Sequence, residues 1–206
     1  AMERIDGPAI TEFARRRSLR LRERLSLVAR VADAVHHAHQ RGVIHRDIKP
    51  DNVLVDSSGQ PKVLDFGVAR VERDGGEGPV GRAMTDAGQL LGTVAYMSPE
   101  QVAGPSDELD IRTDVYSLGV VAYELLTGAP PYRVESQSLR DAVDTVLYAE
   151  PPKVEGVPRA MREDIDALLA TALAKDRRRR YESAAAFAAD IRRLFANEPL
   201  VARPPS

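Results

Sequence analysis

Four side chains of residues 43–67, VIHRDIKPDNVLVDSSGQPKVLDFG, could do chemistry together. They are the carboxylates of Asp47 and Asp65, the amide of Asn52 and the ammonium group of Lys49. Two short apolar runs, 53–55 and 62–64, flank a turn that contains Gly59. This pattern predicts a β-hairpin, and a hairpin brings its two ends together. We therefore expect the four polar groups to converge. Together they could hold divalent metal ions against a phosphate and accept a proton from a hydroxyl group.

The elements that must position this segment are mostly helices. Apolar residues recur at helical spacing in 21–40, and the apolar run 113–127, closed by Gly128, predicts a buried central helix. Further helices are predicted at 11–18, 135–149 and 160–173, with a last helix capped by Ser183. The four histidines lie before or within the segment: His36, His37, His39 and His45. Their spacing does not favour a zinc site, so we interpret them as packing and hydrogen-bonding residues.

Bulk composition is that of an ordinary globular domain. The 206 residues are 43% hydrophobic and 29% charged, with a formal net charge of -2, so no overall field favours nucleic acid or an anionic membrane. The absence of cysteine excludes disulfides, thiolate zinc sites and thiol redox chemistry. No apolar run approaches the roughly 20 residues that span a bilayer, and no signal peptide is visible. We predict one domain with a cytoplasmic location.

Three motifs, in order along the chain, resemble those of the protein kinase family. HRDIKPDN at 45–52 resembles the catalytic loop, DFG at 65–67 the metal-binding triplet and SPE at 98–100 the Ala-Pro-Glu motif. Lys49, two residues after Asp47, resembles Ser/Thr rather than Tyr kinases. The resemblance implies a mainly α (α+β overall) fold, the C-terminal lobe (C-lobe) of a kinase. Its helices would surround the buried central helix, beside a small catalytic hairpin.

The resemblance also implies an activity, the transfer of the ATP γ-phosphoryl group to Ser or Thr hydroxyls of a protein substrate. Asp47 would orient the hydroxyl or accept its proton, and Lys49 would neutralise charge on the phosphoryl group. Asn52 and Asp65 would hold Mg²⁺, and Thr93 would contact the catalytic Asp and Lys. Asp51 resembles a site that meets basic residues of the substrate.

The resemblance divides the chain into a hinge remnant at 1–7, a C-lobe at 8–198 and a disordered tail at 199–206. Glu3 and Ile5 of the hinge would offer backbone groups to adenine, and Leu54 would form the floor beneath it. A frayed terminus is the alternative for 1–7. No N-terminal lobe (N-lobe), with its Gly-rich loop, strand Lys and helix Glu, precedes the hinge. We therefore expect this chain alone to be inactive, with an exposed lobe interface that could favour self-association.

The activation segment, in the same resemblance, runs through 65–100, and the catalytic loop occupies 43–55. Thr85 is a candidate phospho-acceptor, and Arg46 could pair with a phosphothreonine there. Thr93 and Ser98 are competing acceptors. Thr85 could equally be an unmodified loop residue.

Two structural roles follow from the resemblance. Asp114 would hold the catalytic-loop backbone as well as favouring the start of its helix. Arg180 would form a buried ion pair with Glu100. The arginine run 177–179 next to it could also indicate a nucleic-acid patch. We favour simple solvation for this run and expect no nucleic-acid partner.

Two other functions remain open from the sequence. The first is a non-catalytic regulatory or scaffold module that uses a kinase C-lobe as a binding surface. The second is a metal-dependent phosphohydrolase, which could use the carboxylates but explains neither Lys49 nor the Glu100–Arg180 pair.

Overall fold

A computed structural model of the chain describes residues 7–66, 92–103, 109–134 and 138–202. Within these ranges the fold is mainly α, as predicted. The helices are α1 (Ile10–Arg16), α2 (Leu21–His39), α3 (Pro99–Ala103), α4 (Arg112–Thr127), α5 (Leu139–Tyr148), α6 (Arg159–Ala172) and α7 (Ala184–Ala196). A two-stranded antiparallel sheet joins β1 (Val53–Val55) to β2 (Pro61–Val63). Two short 3-10 turns, Pro50–Asn52 and Arg177–Arg179, and a short helical turn at 92–94 are also present.

The central helix α4 is buried on nearly all sides and lies between two apolar clusters. Leu118 and Val121 pack into the larger cluster with α1, α2, α6 and α7. Tyr116 and Val120 pack into the smaller cluster with residues of 94–95 and α5. Burying one aliphatic side chain completely stabilises the fold by about 1.5–3 kcal/mol. A helix that buries side chains in both clusters therefore fixes the position of one cluster relative to the other.

Two glycines shape α4. Gly128 ends the helix with a φ of 88°, a left-handed conformation that suits glycine, as predicted. Gly119 allows α4 to approach α6 closely, since a Cβ atom there would lie 2.9 Å from the Cβ of Ala172. The close approach has no local sequence signal and was not predicted.

Helix α2 directly precedes the catalytic segment and helps to position it. At its start the Arg20 backbone N–H donates to the Glu23 carboxylate at 2.7 Å. Its buried face, which includes Leu25, Val28 and Val35, packs mainly against α7 and α4. Helix α2 therefore ends at the catalytic segment with its position set by two neighbouring helices.

The predicted hairpin is present, with Val53 opposite Val63 and Val55 opposite Pro61. Its second strand starts one residue earlier than predicted, and Leu64 lies beyond it. In the turn, the Asp56 carboxylate accepts hydrogen bonds from Ser58 and from the Gln60 backbone N–H. These bonds lower the pKa of Asp56, the Ser58 hydroxyl contributing most. The turn is thus fixed by one aspartate.

The prediction that residues 199–206 form a disordered tail is wrong for residues 200–202. Leu200 is buried, and the backbone N–H groups of Val201 and Ala202 donate to the Asp190 carboxylate at 2.8 and 3.0 Å. Asp190 lies inside α7 and is itself fully buried, so it requires these donors. Residues 203–206 lie outside the described residues.

Helix boundaries otherwise differ from the predictions by one or two residues, except in α5. That helix was predicted to begin at 135, but Ser138 caps it by accepting from the Asp141 backbone N–H. Residues 135–137 lie outside the described residues. Among the described helices, none has the length and apolar character needed to cross a membrane.

Candidate active site

A buried carboxylate joins the central helix to the catalytic loop. Asp114, in the first turn of α4, is fully buried. Its Oδ2 accepts from the His45 backbone N–H, and its Oδ1 accepts from the Arg46 backbone N–H, both at 2.8 Å. Because Arg46 has a φ of 67°, its backbone is in the left-handed region and needs such support. Asp114 therefore fixes the loop directly before Asp47.

Two histidines add hydrogen bonds to this connection between the central helix and the catalytic loop. His39, at the end of α2, places Nε2 2.7 Å from Asp114 Oδ2. The His45 Nδ1 accepts from the Asp47 backbone N–H at 3.2 Å, so its Nε2 carries the proton and donates to the Leu64 carbonyl at 2.7 Å. The His45 ring also meets Phe66 edge-on, with centroids 4.9 Å apart. The sequence predicted hydrogen-bonding histidines but did not predict the carboxylate partner of His39.

The candidate catalytic groups of the loop lie together at its solvent side. The Asn52 amide donates to Asp47 Oδ2 at 2.9 Å and to the Asp47 carbonyl at 2.8 Å. The Lys49 ammonium lies 3.3 Å from Asp47 Oδ2 and 3.4 Å from Thr93 Oγ1. The Asp47 side chain is 46% exposed. It therefore combines a fixed orientation with access for a substrate.

The second carboxylate, Asp65, follows β2 at the other end of the hairpin. The Leu64 N–H donates to the Asn52 carbonyl at 2.8 Å, which connects the strand end to the catalytic loop. Asp65 is exposed, has a φ of 56° and makes no ion pair with another described residue. Since the Asn52 NH₂ group is used by Asp47, its carbonyl oxygen remains available. An amide oxygen and a free carboxylate are ligands that suit Mg²⁺.

A cleft of about 510 Å³ opens beside these groups. Its lining includes Lys49, Asp51, Thr93, Tyr96 and Pro130. Thr93 and Tyr96 belong to the segment 92–98 that precedes α3, and the Tyr96 carbonyl accepts from the Ser117 hydroxyl of α4 at 2.8 Å. The cleft has room for an extended peptide segment next to Asp47.

Gln101 joins this segment to the catalytic loop and was missed by the sequence reasoning. It is buried in α3, where its amide NH₂ donates to the Arg46 carbonyl at 2.7 Å. Its amide oxygen accepts from the Ser98 backbone N–H at 3.0 Å. A single glutamine carries no local signal for such a bridge, because its two partners are distant in sequence from each other.

Glu100 and Arg180 form a two-pronged ion pair behind the loop. The two guanidinium nitrogens lie 2.6 and 2.7 Å from the two carboxylate oxygens. Thr113 adds a hydrogen bond to Glu100 at 2.9 Å. Burial raises the pKa of Glu100, but hydrogen bonds and charge from Arg180 outweigh it, so the pKa lies below its ordinary value.

The nucleotide-site predictions are only partly within the described residues. Leu54 lies in β1 and pairs with Lys62 of β2. It also forms an isolated antiparallel β-bridge with Ala9. Glu3, Ile5 and Thr85 lie outside the described residues. A Gly-x-Gly-x-x-Gly match does occur at 76–81, also outside them. It follows the catalytic loop instead of preceding it, so it does not occupy the place of a phosphate loop.

Residues 1–190 match the family model described as the protein kinase domain, and the chain therefore belongs to the protein kinase family. It is 36% identical over 203 residues to the serine/threonine-protein kinase PknB of Mycobacterium tuberculosis, covering 96% of this chain and 30% of that protein. It is also 36% identical over 201 residues to a probable serine/threonine-protein kinase, SCO3848, of Streptomyces coelicolor, covering 97% and 28%.

A third relative, a probable PknB of Bifidobacterium longum, is 36% identical over 193 residues, covering 92% of this chain and 26% of that protein. These similarities confirm the family predicted from the catalytic-loop motifs. The chain spans less than a third of the length of each of these three relatives.

Proposed function

We propose that this chain carries the catalytic half-site of a Ser/Thr protein kinase, which transfers the γ-phosphoryl group of ATP to a protein hydroxyl. The observation that carries the proposal is the position of Asp47. Its carboxylate is open to solvent, yet Asn52 and Lys49 fix it at 2.9 and 3.3 Å. Catalysis of phosphoryl transfer rests mainly on such positioning and on charge stabilisation.

In the proposed reaction, Asp47 orients the substrate hydroxyl and accepts its proton as the oxygen bonds to the γ-phosphorus. The bond from that phosphorus to the bridging oxygen breaks, and ADP leaves. Lys49 neutralises negative charge on the transferring group. Asn52 and Asp65 would hold Mg²⁺, which supplies charge neutralisation at the phosphate oxygens. Thr93, 3.4 Å from the Lys49 ammonium, would keep that lysine against Asp47.

The protein substrate would occupy the cleft beside Asp47. Asp51 lines the cleft and would attract basic residues of the substrate. The exposed position of Asp51 leaves its carboxylate free for this contact.

For the nucleotide, we propose that Leu54 lies beneath adenine and that Glu3 and Ile5 offer backbone groups. The Gly-rich loop, strand Lys and helix Glu of the family would come from an N-lobe, and residues 1–206 do not supply them. We expect this chain alone to be inactive and to bind ATP weakly. Calorimetry with ATP and Mg²⁺ tests this, and micromolar affinity would contradict it.

The test of the activity is Asp47→Asn in the full-length parent. The substitution keeps size and hydrogen bonding but removes the charge, so transfer from ATP to a protein substrate should fall by about three orders of magnitude. Asp33→Asn, on the exposed surface of α2, is the matched control. A scaffold module would instead keep its cellular role after Asp47→Asn, and substantial remaining transfer would reject the assignment of Asp47.

We also propose that Thr85 is phosphorylated and that Arg46 pairs with the phosphate. Support comes from the backbone of Arg46, which Asp114 and Gln101 hold, so its side chain starts from a fixed point. Mass spectrometry of the purified parent should find phosphate on Thr85. Unmodified Thr85 in a fully active preparation would contradict the proposal.

A further inference from the structure

An arginine-lined cleft of about 760 Å³ lies apart from the candidate active site and shares no lining residue with the cleft beside Asp47. One side is the 3-10 turn Arg177–Arg179, and another is the outer surface of α7. Val201 and Ala202, just beyond α7, also line it. The polar lining is mostly guanidinium: Arg112, Arg178, Arg179, Arg180 and Arg193.

The charges of these arginines are only partly compensated. Arg180 is neutralised by Glu100, and Arg193 lies 3.4 Å from Asp190. Three others, Arg112, Arg178 and Arg179, make no ion pair with any residue in the described ranges. Among the described residues that line the cleft, Glu182 alone carries a carboxylate. Within this described lining, three guanidinium groups without an ion pair face one carboxylate, and an anion would relieve the excess of positive charge.

The walls of the cleft are held in place before any ligand arrives. The Asp176 carboxylate accepts from the Arg178 backbone N–H at 2.9 Å, which fixes the start of the turn. Directly after the turn, Arg180 is anchored in the core by Glu100. On the opposite side, Asp190 holds the backbone of Val201 and Ala202. A preorganised site loses little conformational entropy when it binds its ligand.

We propose that this cleft binds a phosphorylated Ser or Thr side chain of a protein segment. The planar guanidinium group donates paired hydrogen bonds to phosphate oxygens, and clusters of arginine are a common way to recognise phosphorylated segments. Val201, which is 62% exposed at the edge, offers the neighbouring residues of a peptide an apolar contact. A free phosphate ion would not use that contact.

The same lining disfavours two other polyanions. Its aromatic residue, Tyr181, is 3% exposed and donates its hydroxyl hydrogen bond to Asp190, so it offers no face for stacking a nucleic-acid base. The arginines line a concave cleft, whereas a membrane presents a broad, flat array of headgroups. The proposal assigns a role to Arg178 and Arg179 beyond the solvation expected from the sequence, and it does not depend on the proposed catalytic activity.

The experiment is fluorescence anisotropy with the 206-residue chain, without ATP or Mg²⁺. The probe is a short fluorescein-labelled peptide with one phosphothreonine in a neutral Ala/Gly context, compared with the same peptide carrying threonine. Phosphorylation should tighten binding by at least about tenfold, the equivalent of one charge-assisted contact. The double variant Arg178→Ala/Arg179→Ala should lose that gain, and Arg159→Ala, an exposed arginine of α6, should keep it.

Several outcomes would overturn the proposal. Equal affinity for the two peptides would do so, as would unchanged binding by the double variant. Loss of binding in Arg46→Ala with full retention in the double variant would place the phosphate at the catalytic loop. Competition by inorganic phosphate at the same concentration as the phosphopeptide would indicate a free-anion site. Tighter binding of a single-stranded oligonucleotide or of phosphatidylglycerol vesicles would indicate a different partner.

Discussion

Asp114 and Asp47 are two aspartates on either side of the same loop backbone, and they differ in nearly every physical respect. Asp114 is fully buried, and three nitrogens contact its two oxygens. Asp47 is 46% exposed, and its carboxylate has two partners, Asn52 and Lys49. A buried carboxylate whose donors are all supplied by the protein holds structure, whereas an exposed, oriented carboxylate with free lone pairs is available for chemistry.

The other charged groups fall into the same two classes, buried with several partners or exposed with few. Arg180 and Glu100 resemble Asp114, since each is held by several partners inside the fold. Asp65 resembles Asp47, because it is exposed and makes no ion pair with a described residue. The comparison predicts that substitutions in the first group lower stability and that those in the second lower activity alone.

The largest effect on stability should come from Arg180→Met. The variant leaves the Glu100 carboxylate, whose side chain is only 16% exposed, without its cation. Removing one partner of a buried ion pair typically costs about 3–5 kcal/mol of unfolding free energy. Urea denaturation measures it. Because the pKa of Glu100 lies below its ordinary value, the ion pair contributes stability above the unfolded pKa and loses it as pH falls through the folded pKa.

The matched control is Glu100→Met/Arg180→Met, which removes both charges and should recover part of the loss. A single variant that costs less than about 1 kcal/mol would contradict the burial argument, since that value is typical of exposed pairs.

Asp114→Asn should have the next largest effect. The new NH₂ group must face one of three donors, from His39, His45 or Arg46, so at least one buried donor loses its acceptor. That loss costs about 1–3 kcal/mol. Thermal unfolding measures the stability, and a phosphotransfer assay of the full-length parent measures the effect on the loop. An unchanged melting temperature would show that Asp114 does not brace the loop.

Lys175 is intermediate between the buried and the exposed charged residues, and it should have a smaller, pH-dependent effect on stability. It is partly buried, its ammonium donates to the Tyr132 hydroxyl and the Val146 carbonyl, and burial lowers its pKa to about 8. Above pH 8 the folded chain therefore binds fewer protons than the unfolded chain, whose lysine titrates near 10.5. Stability should rise with pH in that window.

The measurement is urea denaturation between about pH 8 and 9, where no more than about a tenth of each unfolded tyrosine is ionised. Lys175→Met should remove the rise. A wild-type stability that falls over this interval, or a variant with the same slope, would contradict the assignment.

Local patterns predicted much of the fold. The hairpin, predicted with strands at 53–55 and 62–64, the central helix and the Ser183 cap were read from periodicity, turn residues and capping residues, which act over a few positions. The pairing of Glu100 with Arg180, whose residues are 80 positions apart, came from resemblance to the family and not from local pattern.

What was missed depends on contacts between distant segments. His39 meets Asp114 across 75 positions, and Gln101 meets Arg46 across 55. The order of residues 200–202 was missed because it depends on hydrogen bonds to the buried Asp190, while the segment itself is short and shows no helical or strand periodicity. Such contacts follow from helix packing, which a periodic pattern indicates but does not specify.

The most direct test of the central distinction is a parallel measurement of phosphotransfer and unfolding free energy for Asp47→Asn and Asp114→Asn in the full-length parent. We predict that Asp47→Asn lowers transfer by about three orders of magnitude, with stability within about 0.5 kcal/mol of wild type, as expected for an exposed site. Asp114→Asn should lower both. Transfer that survives Asp47→Asn, or a loss of stability equal to that of Asp114→Asn, would contradict the account.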